Sequence, residues 1–99
     1  MFLENYIEQI NRLCEIHKVK QLYVFGSVLE RRFSDDSDID LIVDFQSVDP
    51  IEYAENYFAL KFSLQDLLER PIDLLEQRAI FNKYLLRSIN KSKRLIYEA

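Results

Sequence analysis

The sequence predicts an α/β domain in which helices flank a small mixed β-sheet of about three strands. Two observations predict this fold. Short apolar runs that end at turn signals are typical of buried strands, and apolar residues that recur every three or four positions between them are typical of helices. A chain of 99 residues has room for one hydrophobic core, so we expect residues 1–99 to form a single domain.

The first half of the chain predicts one long helix and two strands. Apolar residues from Phe2 to Cys14 recur at helical spacing and predict a helix over residues 2–17. The run Leu22–Phe25 is fully apolar and ends at a glycine, which predicts a buried strand and then a turn into a short helix. The segment Ile39–Phe45 is predicted as the second strand.

The second half predicts a helix, a strand and a further helix. Apolar residues from Tyr53 to Leu68 predict a helix over residues 51–69, which the Arg70-Pro71 pair ends because proline disfavours helical geometry in the preceding residue. Ile72–Glu76 is predicted as a third short strand, and residues 79–90 as the last helix. The tail after that helix is compatible with either helix or extended chain.

Composition narrows the classes of protein to which this chain can belong. The formal net charge of −4 disfavours nonspecific binding to nucleic acid, and no direct nucleic-acid partner is expected. The only cysteine is Cys14, which excludes an internal disulfide and is expected to be a small buried apolar residue. No apolar run approaches the roughly 20 residues that a membrane span requires, so we expect a cytoplasmic protein without membrane contact.

Two aspartates at the start of the second strand are the first candidates for chemistry. Side chains alternate across a strand, so Asp38 and Asp40 share one face while the apolar residues Ile39, Leu41, Val43 and Phe45 share the other. Two adjacent carboxylates repel each other unless a cation neutralises both, and Mg²⁺ prefers such oxygen ligands. The alternative is an ordinary solvated acidic turn. A calcium loop is excluded, because Leu41 stands where that loop requires glycine.

The pair Gly26-Ser27 lies between the first predicted strand and the next helix. A glycine there allows the backbone to approach a ligand closely, and a serine at a helix start can present its hydroxyl and nearby N–H groups to a phosphate. The alternative is a plain turn in which Ser27 caps the helix. The combination with the two aspartates favours a phosphate and metal site.

Gly26-Ser27, ten further residues and then Asp38-Ile39-Asp40 form the pattern GS-x10-DxD. With the later "ERPIDLLE", this pattern resembles the DNA polymerase β-like nucleotidyltransferases over nearly the whole chain. In particular it resembles the minimal nucleotidyltransferases that act as antitoxins of HEPN-domain ribonuclease toxins.

The resemblance implies a role for each matching residue. Asp38, Asp40 and Asp73 would be catalytic and would bind Mg²⁺, with two ions expected, and Asp73 would also deprotonate the acceptor. Gly26 and Ser27 would contact the phosphates of the substrate ATP. AMP would pass to a hydroxyl, by the family's example a tyrosine, of the toxin. Without the resemblance, the better interpretation of Asp73 is a residue that merely caps a short edge strand.

The resemblance leaves alternatives open. Related sequences often continue after Gly-Ser in a pattern like GSRARG, whereas this chain has Val28, Leu29, Glu30 and Arg31. A binding-only antitoxin with a degenerate nucleotide site is therefore the second hypothesis, and transfer of AMP to a small molecule is the third. Because the chain has only a catalytic module, we expect the acceptor to be carried by a partner protein.

The basic residues Arg87, Lys91, Lys93 and Arg94 are interpreted as a charged surface, with RNA or an acidic partner as the alternative.

Overall fold

The computed structural model describes residues 2–26 and 38–99. The helices are α1 (Ile7–Ile16), α2 (Pro50–Leu68) and α3 (Lys83–Ser92), with 3-10 segments at Phe2–Tyr6 and Gln77–Ala79. The strands are β1 (Val19–Phe25), β2 (Ile39–Phe45), β3 (Ile72–Glu76) and β4 (Arg94–Glu98). The short helix predicted after Gly26 lies outside the described residues, as do Ser27 and the Val28–Arg31 departure.

The predicted strands β2 and β3 are confirmed at their expected limits, and other limits differ. The first helix begins as a 3-10 segment, β1 begins at Val19 rather than Leu22, and the last helix begins at Lys83 rather than residue 79. Asn82 explains this last start, because its side chain accepts hydrogen bonds from the backbone N–H groups of Tyr84 and Leu85.

Helix α2 has clear signals at both ends. The Asp49 side chain caps its first turn by accepting a hydrogen bond of 2.9 Å from the backbone N–H of Glu52, and Pro50 occupies the first helical position. Glu69 ends the helix in the left-handed conformation, with φ of 53°, immediately before Arg70-Pro71.

No helix in residues 2–26 and 38–99 is long and apolar enough to cross a membrane.

The described residues form a four-stranded mixed sheet in the order β3-β2-β1-β4. Strand β2 is central; it pairs antiparallel with β1 and parallel with β3. The fourth strand, β4, pairs antiparallel with β1 and comes from the tail that the sequence left open between helix and extended chain. The expected mixed α/β fold is confirmed, with one strand more than expected.

The hydrophobic core lies between one face of the sheet and helices α1 and α2. The alternate residues of β2 that were expected to face the helices are all buried, and the buried leucines of α2 pack in the same cluster: Ile39, Leu41, Val43, Phe45, Leu60, Leu64 and Leu68. Cys14 also lies in this core as predicted, and its burial raises the pKa of the thiol to about 12. The core therefore fixes which face of β2 is free to carry polar groups.

Hydrogen bonds at the end of β3 attach this edge strand to α2. The Tyr57 hydroxyl donates to the Leu74 carbonyl oxygen at 2.7 Å, and the Tyr53 hydroxyl donates to the Glu76 carboxylate at 2.9 Å. Burial, and next the hydrogen bond to Glu76, raise the pKa of Tyr53 to about 12. These contacts hold β3 in place beside β2.

We predict that Tyr53→Phe lowers the free energy of unfolding by about 1 kcal/mol at pH 8, because one hydrogen bond is lost. The raised pKa gives the native protein stability that is present below pH 10 and is lost as the pH rises towards 12. The difference between variant and wild type should therefore shrink over that interval. Urea unfolding of the variant and the wild type at pH 10 and at pH 12 measures this difference in the free energy of unfolding.

The matched control is Tyr84→Phe, because the Tyr84 side chain is mostly exposed. It should unfold like the wild type at either pH. A Tyr53→Phe deficit that stayed constant up to pH 12 would contradict the prediction.

Candidate functional site

Asp40 and Asp73 are neighbours on adjacent strands. In the parallel pairing of β2 with β3, Asp40 lies opposite Asp73. Adjacent strands are about 4.8 Å apart and paired residues point to the same face, so both carboxylates project from the face opposite the core. The structure thus brings together two aspartates that are 33 positions apart in the sequence.

Asp38 lies one residue before β2 and is exposed. The backbone N–H of the next residue, Ile39, donates to the carbonyl oxygen of Pro71 at 3.1 Å, which continues the β2–β3 pairing to the edge where Asp38 lies. Asp73 is exposed as well, whereas Asp40 is half-buried. Among residues 2–26 and 38–99, the candidate site therefore lies at an edge of the sheet.

Gly26 lies against Asp40. Phe25, the last residue of β1, pairs with Asp40, and Gly26 follows it with φ of +79°, in the left-handed region that favours glycine. A Cβ atom built on Gly26 would lie 2.3 Å from Oδ2 of Asp40. The glycine is thus required both by its backbone conformation and by the carboxylate beside it.

These residues suit Mg²⁺ in their chemistry and in their strand positions. Carboxylate oxygens are the ligands that Mg²⁺ prefers, and the bare Gly26 backbone leaves room for the Asp40 carboxylate. In the described ranges, however, no three His, Cys, Asp or Glu side chains are gathered closely enough to hold a metal ion. The metal role of Asp38, Asp40 and Asp73 therefore stays a prediction.

Asp44 shares a face with Asp40 but has a structural role. Nε of Arg78 donates to Oδ1 of Asp44 at 3.1 Å, and the same guanidinium donates to the Phe45 carbonyl oxygen at 3.1 Å. Asp44 lies at the opposite end of β2 from the candidate site. The ion pair with Arg78 therefore places Asp44 away from the edge where Asp38 and Asp40 lie.

Two aromatic residues on the site face were not singled out from the sequence. Tyr23 pairs with Ile42 and Phe25 with Asp40, so both side chains point to the face that carries the aspartates. The run that contains them is uniformly apolar, so the sequence alone did not show which of its residues face the core and which face the candidate site. The signal that would have found them is the alternation of β1 taken together with its register against β2.

We predict that Gly26→Ala destabilises the protein by more than the roughly 1–2 kcal/mol that a left-handed backbone costs an alanine, because the new methyl group also meets Asp40. Chemical denaturation measures the loss. In an Asp40→Ala background, the cost of Gly26→Ala should fall towards the backbone part alone. An equal cost in both backgrounds would contradict the proposed contact with Asp40.

The chain is similar in sequence to a known family and to individual proteins. The family described as Polymerase beta, Nucleotidyltransferase matches residues 8–99. The chain is 36% identical over 85 residues to the Methanocaldococcus jannaschii protein named "Putative protein adenylyltransferase MJ0126", covering 86% of this chain and 82% of that protein. A second protein of that organism and type, MJ0128, is 38% identical with the same coverage.

Solved structures share the fold. One described as a "putative minimal nucleotidyltransferase" has a TM-score of 0.76 at 27% identity, covering 93% of this chain and 90% of that one. A crystal structure of a toxin–antitoxin with AMP-PNP has a TM-score of 0.71 at 22% identity, covering 94% and 73%. The structure of a tri-AMPylated Shewanella oneidensis HEPN toxin in complex with an MNT antitoxin has a TM-score of 0.66 at 22% identity, covering 100% and 74%.

Proposed function

This chain belongs to the polymerase β nucleotidyltransferase family, and we propose that it is a Mg²⁺-dependent protein adenylyltransferase. It would transfer AMP from ATP to a hydroxyl group of a HEPN-type toxin and so act as the antitoxin. The observation that carries the proposal is the pairing of Asp40 with Asp73 beside the bare backbone of Gly26. The names of the similar proteins support a protein, and in particular a HEPN-type toxin, as the acceptor of AMP.

In the proposed reaction, the acceptor oxygen forms a bond to the α-phosphorus of ATP. The bond from that phosphorus to the bridging oxygen breaks, and pyrophosphate leaves with the electron pair. Asp73 takes the proton of the acceptor hydroxyl, which we propose to be that of a tyrosine. Asp73 is suited to this role because it is exposed and reachable by a partner's side chain.

Asp38 and Asp40 would hold Mg²⁺, with two ions proposed, and bound Mg²⁺ would supply neutralisation of the charge on the phosphates. Gly26 would allow the phosphates to approach the end of β1, since glycine has no side chain of its own. Ser27, proposed as the second phosphate contact, lies outside the described residues.

Exposed aromatic residues support a protein as the partner. Phe58 and Phe62 on α2 are each more than half exposed, and their rings stack with centroids 6.2 Å apart. Phe81 and Tyr84, around the start of α3, are exposed by 89% and 75%. Large exposed apolar groups on a small domain are typical of interaction surfaces.

We predict that the double substitution Asp38→Ala and Asp40→Ala abolishes AMP transfer while the protein still folds. The assay incubates ATP labelled at the α-phosphorus with Mg²⁺ and a lysate of the host, and looks for a labelled protein band. Chelation of Mg²⁺ with EDTA should abolish the band as well. Label that persists in the double variant would overturn the proposal.

The matched control is Asp44→Asn, on the same strand and face but ion-paired to Arg78 away from the site. It should retain transfer. A stable complex with a protein partner but no label, even with wild type, would favour the binding-only antitoxin. A labelled metabolite with no labelled protein would favour a small-molecule acceptor.

We predict that Asp73→Asn lowers the rate of transfer by roughly 10²–10⁴-fold, because asparagine cannot take the proton. Asparagine keeps the size of the side chain, so the melting temperature should stay close to that of the wild type. Single-turnover transfer to the purified partner measures the rate. A loss smaller than tenfold would argue that Asp73 does not act as the base.

A further inference from the structure

Lys93 lies on the face of the sheet that carries the candidate site. It is the residue between α3 and β4 and is half-buried, with Nζ 4.2 Å from the centroid of the Tyr23 ring. Tyr23 pairs with Ile42, two residues along β2 from Asp40. Tyr23 and Asp40 project from the same face of the sheet, so the ammonium group of Lys93 lies on the face that carries Asp40.

The path of α3 explains why a cation reaches this position. Strand β3 ends at Glu76, away from the Asp73 edge, and the chain must return to Arg94, which pairs with Val24 near the end of β1. The C-terminal end of α3, where Lys93 follows, therefore lies towards the site edge. Residues 77–97 contain six of the 13 basic residues of the chain and none of its 17 acidic ones.

The candidate site needs positive charge. A bound nucleoside triphosphate would add about four negative charges to an edge that already carries three aspartates, so a cation on the same face would favour its binding. Arg78 is on the same face but is occupied by Asp44 and the Phe45 carbonyl at the other end of β2. Within residues 2–26 and 38–99, no carboxylate forms an ion pair with Lys93.

We propose that Lys93 binds the triphosphate of the nucleotide at this site. The proposal rests on the proposed function, which requires a bound triphosphate. A lysine ammonium on a flexible four-carbon stem can leave the ring face for a phosphate oxygen while its methylene groups remain packed on Tyr23. Without nucleotide, the Tyr23 ring thus keeps the Lys93 ammonium group on this face of the sheet, where a phosphate oxygen can bind it.

The test is the dissociation constant of α,β-methylene-ATP with Mg²⁺, measured by isothermal titration calorimetry. This analogue is chosen because the bond broken in the proposed reaction, between the α-phosphorus and the bridging oxygen, is replaced by a stable one. Lys93→Gln should weaken binding about tenfold, and Lys93→Arg should bind within about threefold of the wild type, because the charge is retained.

The matched control is Lys91→Gln, which removes the same charge two residues away from an exposed position on α3. It should bind the analogue like the wild type. The melting temperatures of all variants are measured as well. If the contact of Lys93 with Tyr23 were purely structural, Lys93→Gln would weaken binding only by lowering the stability of the protein, and its melting temperature would fall.

The outcomes separate this proposal from the proposed function. If the wild type binds the analogue and Lys93→Gln binds equally well, the role of Lys93 is overturned while the function stands. Equal weakening by Lys91→Gln and Lys93→Gln would also overturn it, because a general charge effect would then suffice. No binding by the wild type would overturn both proposals.

Discussion

The alternation of side chains along β2 is the constraint on which the rest of the molecule depends. Four of its residues are buried between the sheet and the helices, and this burial forces Asp38 and Asp40 to the opposite face. A slip of one residue would bring the carboxylates into an apolar core and expose the aliphatic groups. Because β2 has a strand on each side, its register also determines which residues of β1 and β3 lie beside Asp40.

Helix α2 determines where the third strand, β3, lies relative to β2. Parallel strands cannot be joined by a tight turn, so the chain crosses from β2 to β3 through α2, whose leucines pack in the core. The hydroxyl groups of Tyr53 and Tyr57 then attach the helix to β3. The position of Asp73 beside Asp40 is therefore a result of tertiary packing, and substitutions in α2 can affect the site without touching it.

The sequence predicted those elements whose signals are local. Strands β2 and β3 were found at their limits because each is a short apolar run with a turn signal beside it, and the face of Asp40 followed from alternation alone. Strand β4 was not found, since its sequence is compatible with a helix and only pairing with β1 decides the matter. The contact of Gly26 with Asp40 and the position of Lys93 over Tyr23 depend on register between distant segments, which the local pattern does not contain.

The burial of Cys14 has a practical consequence for experiments on this protein. Its thiol is fully buried, and the raised pKa keeps it protonated at neutral pH, so maleimide and iodoacetamide reagents should find no reactive sulfur in the folded chain. Since the chain has no other cysteine, one introduced at an exposed position becomes a single attachment point for a dye or spin label. Distances between such a probe and a partner protein can then be measured without first removing the native cysteine from the core.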